Sequence, residues 1–150
     1  MGNVVSNSSC LISLENIGHI DLLPKCFQRV IVPMAVSLET GLNFDWLDVC
    51  QVTQIIPPSL NREPIGAGER EAISLAFQLQ KAVLLDDARA RRIANKLGLK
   101  FIGTIGVIVK AKKLGLLPNV KDLLEQLQDV GFHLSSELIQ RALAESGETE

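Results

Sequence analysis

Four short runs of consecutive apolar residues constrain this chain more than any other feature. They are Val4-Val5, Val30-Ile31-Val32, Ala82-Val83-Leu84-Leu85 and Phe101-Ile102. None alternates apolar with polar, as a half-exposed strand would. Continuous, mostly β-branched or aliphatic runs fit strands covered on both faces. Between them the apolar spacing turns helical. Ala72, Ile73, Ala76 and Leu79 share one face of the segment 69–80, with Leu75 beside them. Ala90, Ile93, Ala94 and Leu97 do the same in 88–97, and Gly98 is placed to stop that helix. Strands alternating with helices predict an α/β fold, a parallel sheet with helices on both sides.

The remaining punctuation fills in the order of elements. Ser6-Asn7-Ser8-Ser9 stops the first run. Leu11 to Leu23 reads as two short helices, broken near Gly18 and ended by Pro24. Their Leu and Ile residues either bury against each other or face a partner. Met34 to Thr40 reads as a helix closed by Gly41, and a strand is expected near 47–52. Pro57, Pro58 and Pro64 then impose a loop. Thr104 is expected to cap a helix running to Leu114, ended by Gly115 and Pro118. Val120, Leu123, Leu124 and Leu127 mark another helix, closed by Gly131. Ser135 is expected to cap the last one, with Leu134 stapling to Ile139, and the polar tail 146–150 is expected to fray.

At 150 residues the expectation is one domain over residues 1–150, large enough to bury a core unaided. Hydrophobic residues are 47% and charged residues 21%, which excludes a disordered tail. Tyr is absent and aromatics are 4%, which disfavours a tyrosine stacking platform for single strands. Fifteen Lys+Arg against seventeen Asp+Glu leave a net charge of −2, so nucleic acid must be held by a local basic patch. Cys10, Cys26 and Cys50 are odd in number and form no CxxC pair, against a zinc ribbon or disulfide framework. Buried free thiols in a reducing cytoplasm are expected. The first residues lack a basic segment followed by a long apolar one, so a signal peptide is not expected, and no apolar run approaches the ~20 residues of a bilayer span. His19 and His133 have no partner motif.

In open α/β sheets, ligands bind beyond the carboxyl ends of the strands. The residues following these strands are therefore the informative ones: Asn7 after the first, Glu39 two turns into the helix after the second, Asp86 and Asp87 after Leu85, and Thr104 after Phe101-Ile102. Glu69 starts the helix leading into the Asp86-Asp87 strand. Oxygen ligands of this kind suit Mg2+ or Mn2+. There is no HxxxH, no Cys ligand set and no GxxxxGK[ST], so zinc hydrolysis and P-loop chemistry lose support. Each acid also has a plainer use. Glu69 complements a helix dipole, Asp86 or Asp87 caps the helix from Ala88, and Glu39 is an exposed helical residue. Beside the acids, Arg89, Arg92 and Lys96 share a helical face suited to RNA phosphates or simply to water, and Lys110, Lys112 and Lys113 form a second cluster.

These residues resemble a known family. Val4-Val5-Ser6-Asn7-Ser8-Ser9-Cys10-Leu11-Ile12 is similar to the opening strand of PIN domains. Val32-Pro33 with Val36 and Glu39 resembles their second acidic motif, Gly68-Glu69-Arg70-Glu71-Ala72-Ile73 with Ala76 the third, and Leu84-Leu85-Asp86-Asp87 with Ala90-Arg91 the fourth. Gly98-Leu99-Lys100, Ile102 to Val107, Lys113 to Pro118 and Gly131 to Ser135 resemble a bacterial PIN subfamily of predicted nucleic-acid-binding proteins. The resemblance covers nearly the whole chain. It implies a three-layer α/β/α fold with a central parallel sheet and extra C-terminal helices. It also implies a Mg2+- or Mn2+-dependent ribonuclease related to VapC toxins of toxin–antitoxin pairs. RNA is the implied substrate, and an antitoxin and a second copy of the chain are the implied partners.

By position, Glu39, Glu69 and Asp87 match the family's acidic ligands and catalytic residues. Asp86 is placed to share the metal, and Arg89, Arg92, Lys96 and Thr104 to contact RNA. One departure stands out: Asn7 occupies the position of the family's first aspartate. An amide oxygen can ligate a cation but brings no charge, so weaker cation binding is expected. The alternative is a PIN module that binds RNA or a protein without cleaving. A receiver-like signalling domain, with Asp86-Asp87 as an acceptor pair, leaves Glu69 without a role.

Overall fold

A computed structural model describes residues 2–57 and 64–148; Pro58 and the rest of 58–63 lie outside them. The four apolar runs become parallel strands, joined by a fifth. β1 (Asn3–Ser6), β2 (Arg29–Pro33), β3 (Leu47–Cys50), β4 (Ala82–Leu84) and β5 (Phe101–Ile102) form one sheet in the order β3-β2-β1-β4-β5. The register pairs Val4 with Val30 and Ala82, and Val5 with Ile31 and Val83.

Because strand side chains alternate between faces, each continuous run feeds two cores. Val4, Val30, Val32 and Leu84 point to one side, while Val5, Ile31, Val83 and Leu85 point to the other. The first side is covered by α1 (Ser8–Asn16), α2 (Leu22–Cys26), α6 (Thr104–Lys113), α7 (Lys121–Asp129) and α8 (Ser136–Glu145). The second is covered by α4 (Ala67–Leu79) and α5 (Ala88–Lys96), through Ala72, Ile73, Ala76, Ala90, Ile93 and Ala94. α3 (Met34–Thr40) is anchored by Val36 and closed by Gly41 in the left-handed region at φ 66°. The result is an α/β fold of three layers. Leu11, Leu14, Ile20, Leu22 and Leu23 are all buried in the core, while Ile12 of α1 is exposed and lines a cleft. Among the described residues, no helix is long and apolar enough to cross a membrane.

Four local expectations are corrected. Pro24 does not end a helix but sits in the first turn of α2, where its missing N–H would have had no helical acceptor. Thr104 is not a cap. Gly103 holds that position, and Thr104 is the first helical residue. Cys10 and Cys26 are buried, but Cys50 is only half-buried at the end of edge strand β3. The tail does not fray as far as residue 148. Glu148 accepts hydrogen bonds from the N–H groups of Val120 (2.6 Å) and Lys121 (3.3 Å), from Lys112 Nζ (2.9 Å) and from Ser146 Oγ (3.1 Å). Val120, at the N-terminal boundary of α7, makes no cap with its own side chain. Asn119 Oδ1, accepting from Asp122 N–H at 3.0 Å, and Glu148 serve that end together, where a negative charge is favourable.

Candidate functional site

The sheet reverses its direction of growth between β1 and β4. β2 and β3 extend it on one side and β5 on the other, and such a switch point opens a crevice at the carboxyl ends. Asn7 leaves β1 there, its N–H donating to Leu84 O at 3.3 Å. Asp87 leaves β4 beside it. α3 carries Glu39 to the same place and the first turn of α4 carries Glu69. Asn7, Glu39, Glu69 and Asp87 line one cleft of about 390 Å³, with Ser8 and Gly68 between them and Arg89 on its rim.

Each side chain is held by local chemistry. Asp87 is the N-cap of α5, Oδ1 accepting from Arg89 N–H at 3.3 Å, and Oδ2 lies 3.4 Å from Arg89 Nε. Glu69 accepts from Gly66 N–H at 3.2 Å, so the dipole use of this acid and its place in the cleft are compatible. Burial pushes the Glu69 carboxyl up. The Gly66 N–H and Arg89 oppose that shift, while the charges of Asp87 and Glu39 reinforce it. Glu69 therefore senses both other acids. Gly68 permits the approach: a Cβ there would lie 3.3 Å from Glu39 Oε2 and 3.6 Å from Ser8 Oγ.

Asn7 is 1% exposed. Its Oδ1 caps α1, accepting from Cys10 N–H at 3.2 Å. An N–H needs an acceptor, so this bond fixes which end of the amide is which. Nδ2 is then buried with no hydrogen-bond partner among the described residues, and Ser8 Oγ beside it has none either. Buried polar groups without partners cost about 1–3 kcal/mol each, which makes them pointers to a ligand.

Four expected site residues lie outside this cleft. Asp86 faces a neighbouring cleft, accepting from Thr104 N–H at 2.8 Å, Thr104 Oγ at 2.6 Å and Ser9 Oγ at 3.4 Å. Thr104 is fully buried and spends its hydroxyl on Asp86, so it is not exposed to an RNA phosphate. Arg92 and Lys96 are exposed on α5, outside the cleft lining. Of the second basic cluster, Lys110 lies 5.2 Å from the Phe27 ring centroid and Lys112 pairs with Glu148. Ser8 and Gly68 carry the site without having been singled out by type. Gly68 left a signal, a poor helix former inside the first turn of α4. Ser8 left none.

Hard carboxylate oxygens in a switch-point crevice suit Mg2+ or Mn2+. Glu39, Glu69 and Asp87 supply that donor type, and the unpartnered Asn7 and Ser8 atoms mark room for a further polar group. Among the described residues, no three His, Cys, Asp or Glu side chains draw together tightly enough to form a finished ion cage. The reason is visible in their bonds. Like charges repel, and meanwhile Asp87 leans on Arg89 and Glu69 on Gly66.

A PIN-domain family model matches residues 3–148. No curated protein matches the chain. Among solved structures, a PilT N-terminus domain protein from the hyperthermophilic archaeon Sulfolobus solfataricus P2 is similar. It shows 16% identity and a TM-score of 0.45 over 90% of this chain and 100% of that one. PIN domains are typically nucleases and usually use a divalent metal. With residues 3–148 matched, the chain belongs to the PIN-domain family.

Proposed function

We propose that this protein hydrolyses RNA phosphodiesters, with Mg2+ or Mn2+ held by Glu39, Glu69 and Asp87. The observation that carries the reading is the convergence of three carboxylates and Asn7 on the switch-point crevice. A cation bound there would supply Lewis acidity and a lowered pKa for an attacking water. The chain's own residues do the rest. Asp87, held by the α5 N-terminus, orients its carboxylate toward the cleft. Arg89, on the rim, turns from Asp87 to a phosphate oxygen of the substrate. Asn7, whose Oδ1 is committed to Cys10, offers Nδ2 as a neutral donor to a second phosphate oxygen. No side chain needs to attack phosphorus.

A second reading, a PIN module that binds RNA without cutting it, is favoured by one observation, the amide at position 7. The test separates them. A mixed-sequence RNA is incubated with the protein in Mn2+, in Mg2+ and in EDTA. Asp87→Asn is the control, since asparagine caps a helix as well as aspartate does. Cleavage that needs the metal and falls at least about a hundredfold in Asp87→Asn is the expected result. Binding without cleavage in either metal overturns the hydrolase in favour of the module.

A further inference from the structure

Beside the acidic cleft lies a larger one of about 500 Å³, between β5, the start of α6 and α8. Asp86 separates the two: its chain neighbour Asp87 lines the first cleft, and Ser9, which lines the first, donates to it. The larger cleft has apolar walls, among them Ile105, Phe132 and Leu138, and a rim that carries Arg91 and Arg141 together with the acids Asp86 and Glu145. That size suits a small organic group.

Arg91 is the built part. It is half-buried, its Nε donates to Leu85 O at 2.8 Å, and its guanidinium lies 5.2 Å from the Phe101 ring centroid. It makes no ion pair with any described residue. Asp86 accepts three hydrogen bonds from Ser9 and Thr104 and none from Arg91. Gly103 is required beneath it, because a Cβ there would overlap Arg91 Nη2 and lie 2.9 Å from Asp86 Oδ1. A guanidinium fixed by backbone and ring, with its Nη donors unspent, is preorganised for an anion that offers it two oxygens, as a phosphate does. Arg141, 3.9 Å from Glu137 and 63% exposed in its side chain, adds a second cation at the mouth.

We propose that this cleft is a nucleotide subsite. It takes the nucleotide next to the scissile position of single-stranded RNA, the phosphate on Arg91 and Arg141 and the base against Phe132 and Leu138. The inference rests on the RNA reading above and adds where sequence preference is set. Anion and flat apolar group together are the chemistry of a nucleotide, and unstacked bases commonly pack on aromatic side chains. The position fits as well, since both clefts open at the carboxyl edge of the sheet and the successive residues Asp86 and Asp87 line one each.

The test uses fluorescein-labelled tetranucleotides of A, C, G and U, binding followed by anisotropy in EDTA. Without metal the acidic cleft repels phosphate, so the remaining affinity belongs to the arginines. Arg91→Gln and Arg141→Glu are each expected to weaken binding about tenfold or more, and Arg91→Lys to recover only part, because an ammonium has no fork. Arg91 also holds Leu85 O, so melting is measured alongside. Arg141 is on the exposed rim and carries the test if Arg91→Gln folds poorly. Unchanged RNA affinity in well-folded Arg141→Glu and Arg91→Gln overturns the subsite and leaves the hydrolase standing. Wild-type protein that binds none of the four RNAs, with or without Mn2+, overturns both. Arg91-dependent binding of an acidic amphipathic peptide, with RNA binding insensitive to Arg91, assigns the cleft to a protein and overturns the subsite.

Discussion

Asn7 does two things that pull apart at the level of single atoms. Its oxygen caps α1 through Cys10 N–H, and its buried Nδ2 is left to the cleft. An aspartate would cap equally well and present a second oxygen where the amide presents a donor. Asn7→Asp is therefore expected to tighten Mn2+ binding at least about tenfold, one charge–charge contact being enough for that at close range. The metal-free protein should melt lower, by about 2–4 °C for each kcal/mol lost to a fourth clustered carboxylate. Calorimetric titration with Mn2+ and thermal melts in EDTA check the two arms. A variant that changes neither would show that position 7 only caps a helix. Sequence spacing alone put Asn7 and Asp87 after strands, Glu69 at a helix start and Glu39 two turns into a helix, because chain position determines that. It could not show that Asp86 turns to the next cleft, since adjacent residues leaving a strand point different ways. Nor could it show that Thr104 is sealed inside. Both depend on which groups pack nearby.

The helices show the same division between local and distant causes. α4, α5 and α8 begin near where their spacing and capping residues place them, and Ser135 caps α8 through Leu138 N–H at 3.1 Å. Pro24 misleads because a proline is acceptable in a first turn and unacceptable later, and sequence alone does not say which turn it is in. Part of what holds the N-terminal end of α7 is not legible locally: beside Asn119, which caps it through Asp122 N–H, its partner Glu148 comes from far along the chain. Burial pushes that carboxyl up, but Lys112, the Val120 and Lys121 N–H groups and Ser146 outweigh it and bring it from 4.5 down to about 2. A carboxyl lowered on folding stabilises the fold above its unfolded value. That stability is lost as pH falls from about 4.5 toward 2. Its side chain is 16% exposed, so solvent screening trims the contribution to about 1–2 kcal/mol. Glu148→Gln is expected to melt several degrees lower at pH 7 and to converge on the wild type near pH 2. Equal melting temperatures at pH 7 would mean the tail does not hold α7.

For the whole molecule, the sheet order decides the site. Continuous apolar runs predicted a doubly covered parallel sheet, and that is what forms, with both faces of Val4-Val5 and Val30-Ile31-Val32 buried. Strand order is not written in any one run. It emerges from packing, and it is the reversal between β1 and β4 that turns three acids from distant elements, α3, α4 and the end of β4, into one group. The Arg91 cleft lies next door, lined by residues of the fourth motif and of the segments 102–106 and 132–133. The central claim is that this group holds one divalent cation. Mn2+ bound per chain, measured by electron paramagnetic resonance during titration, tests it most directly, on the wild type and on Glu39→Gln, Glu69→Gln and Asp87→Asn. One saturable ion per chain and an affinity at least about tenfold weaker in each variant, with folding retained, are expected. Absence of saturable binding, or an affinity indifferent to all three substitutions, would contradict it.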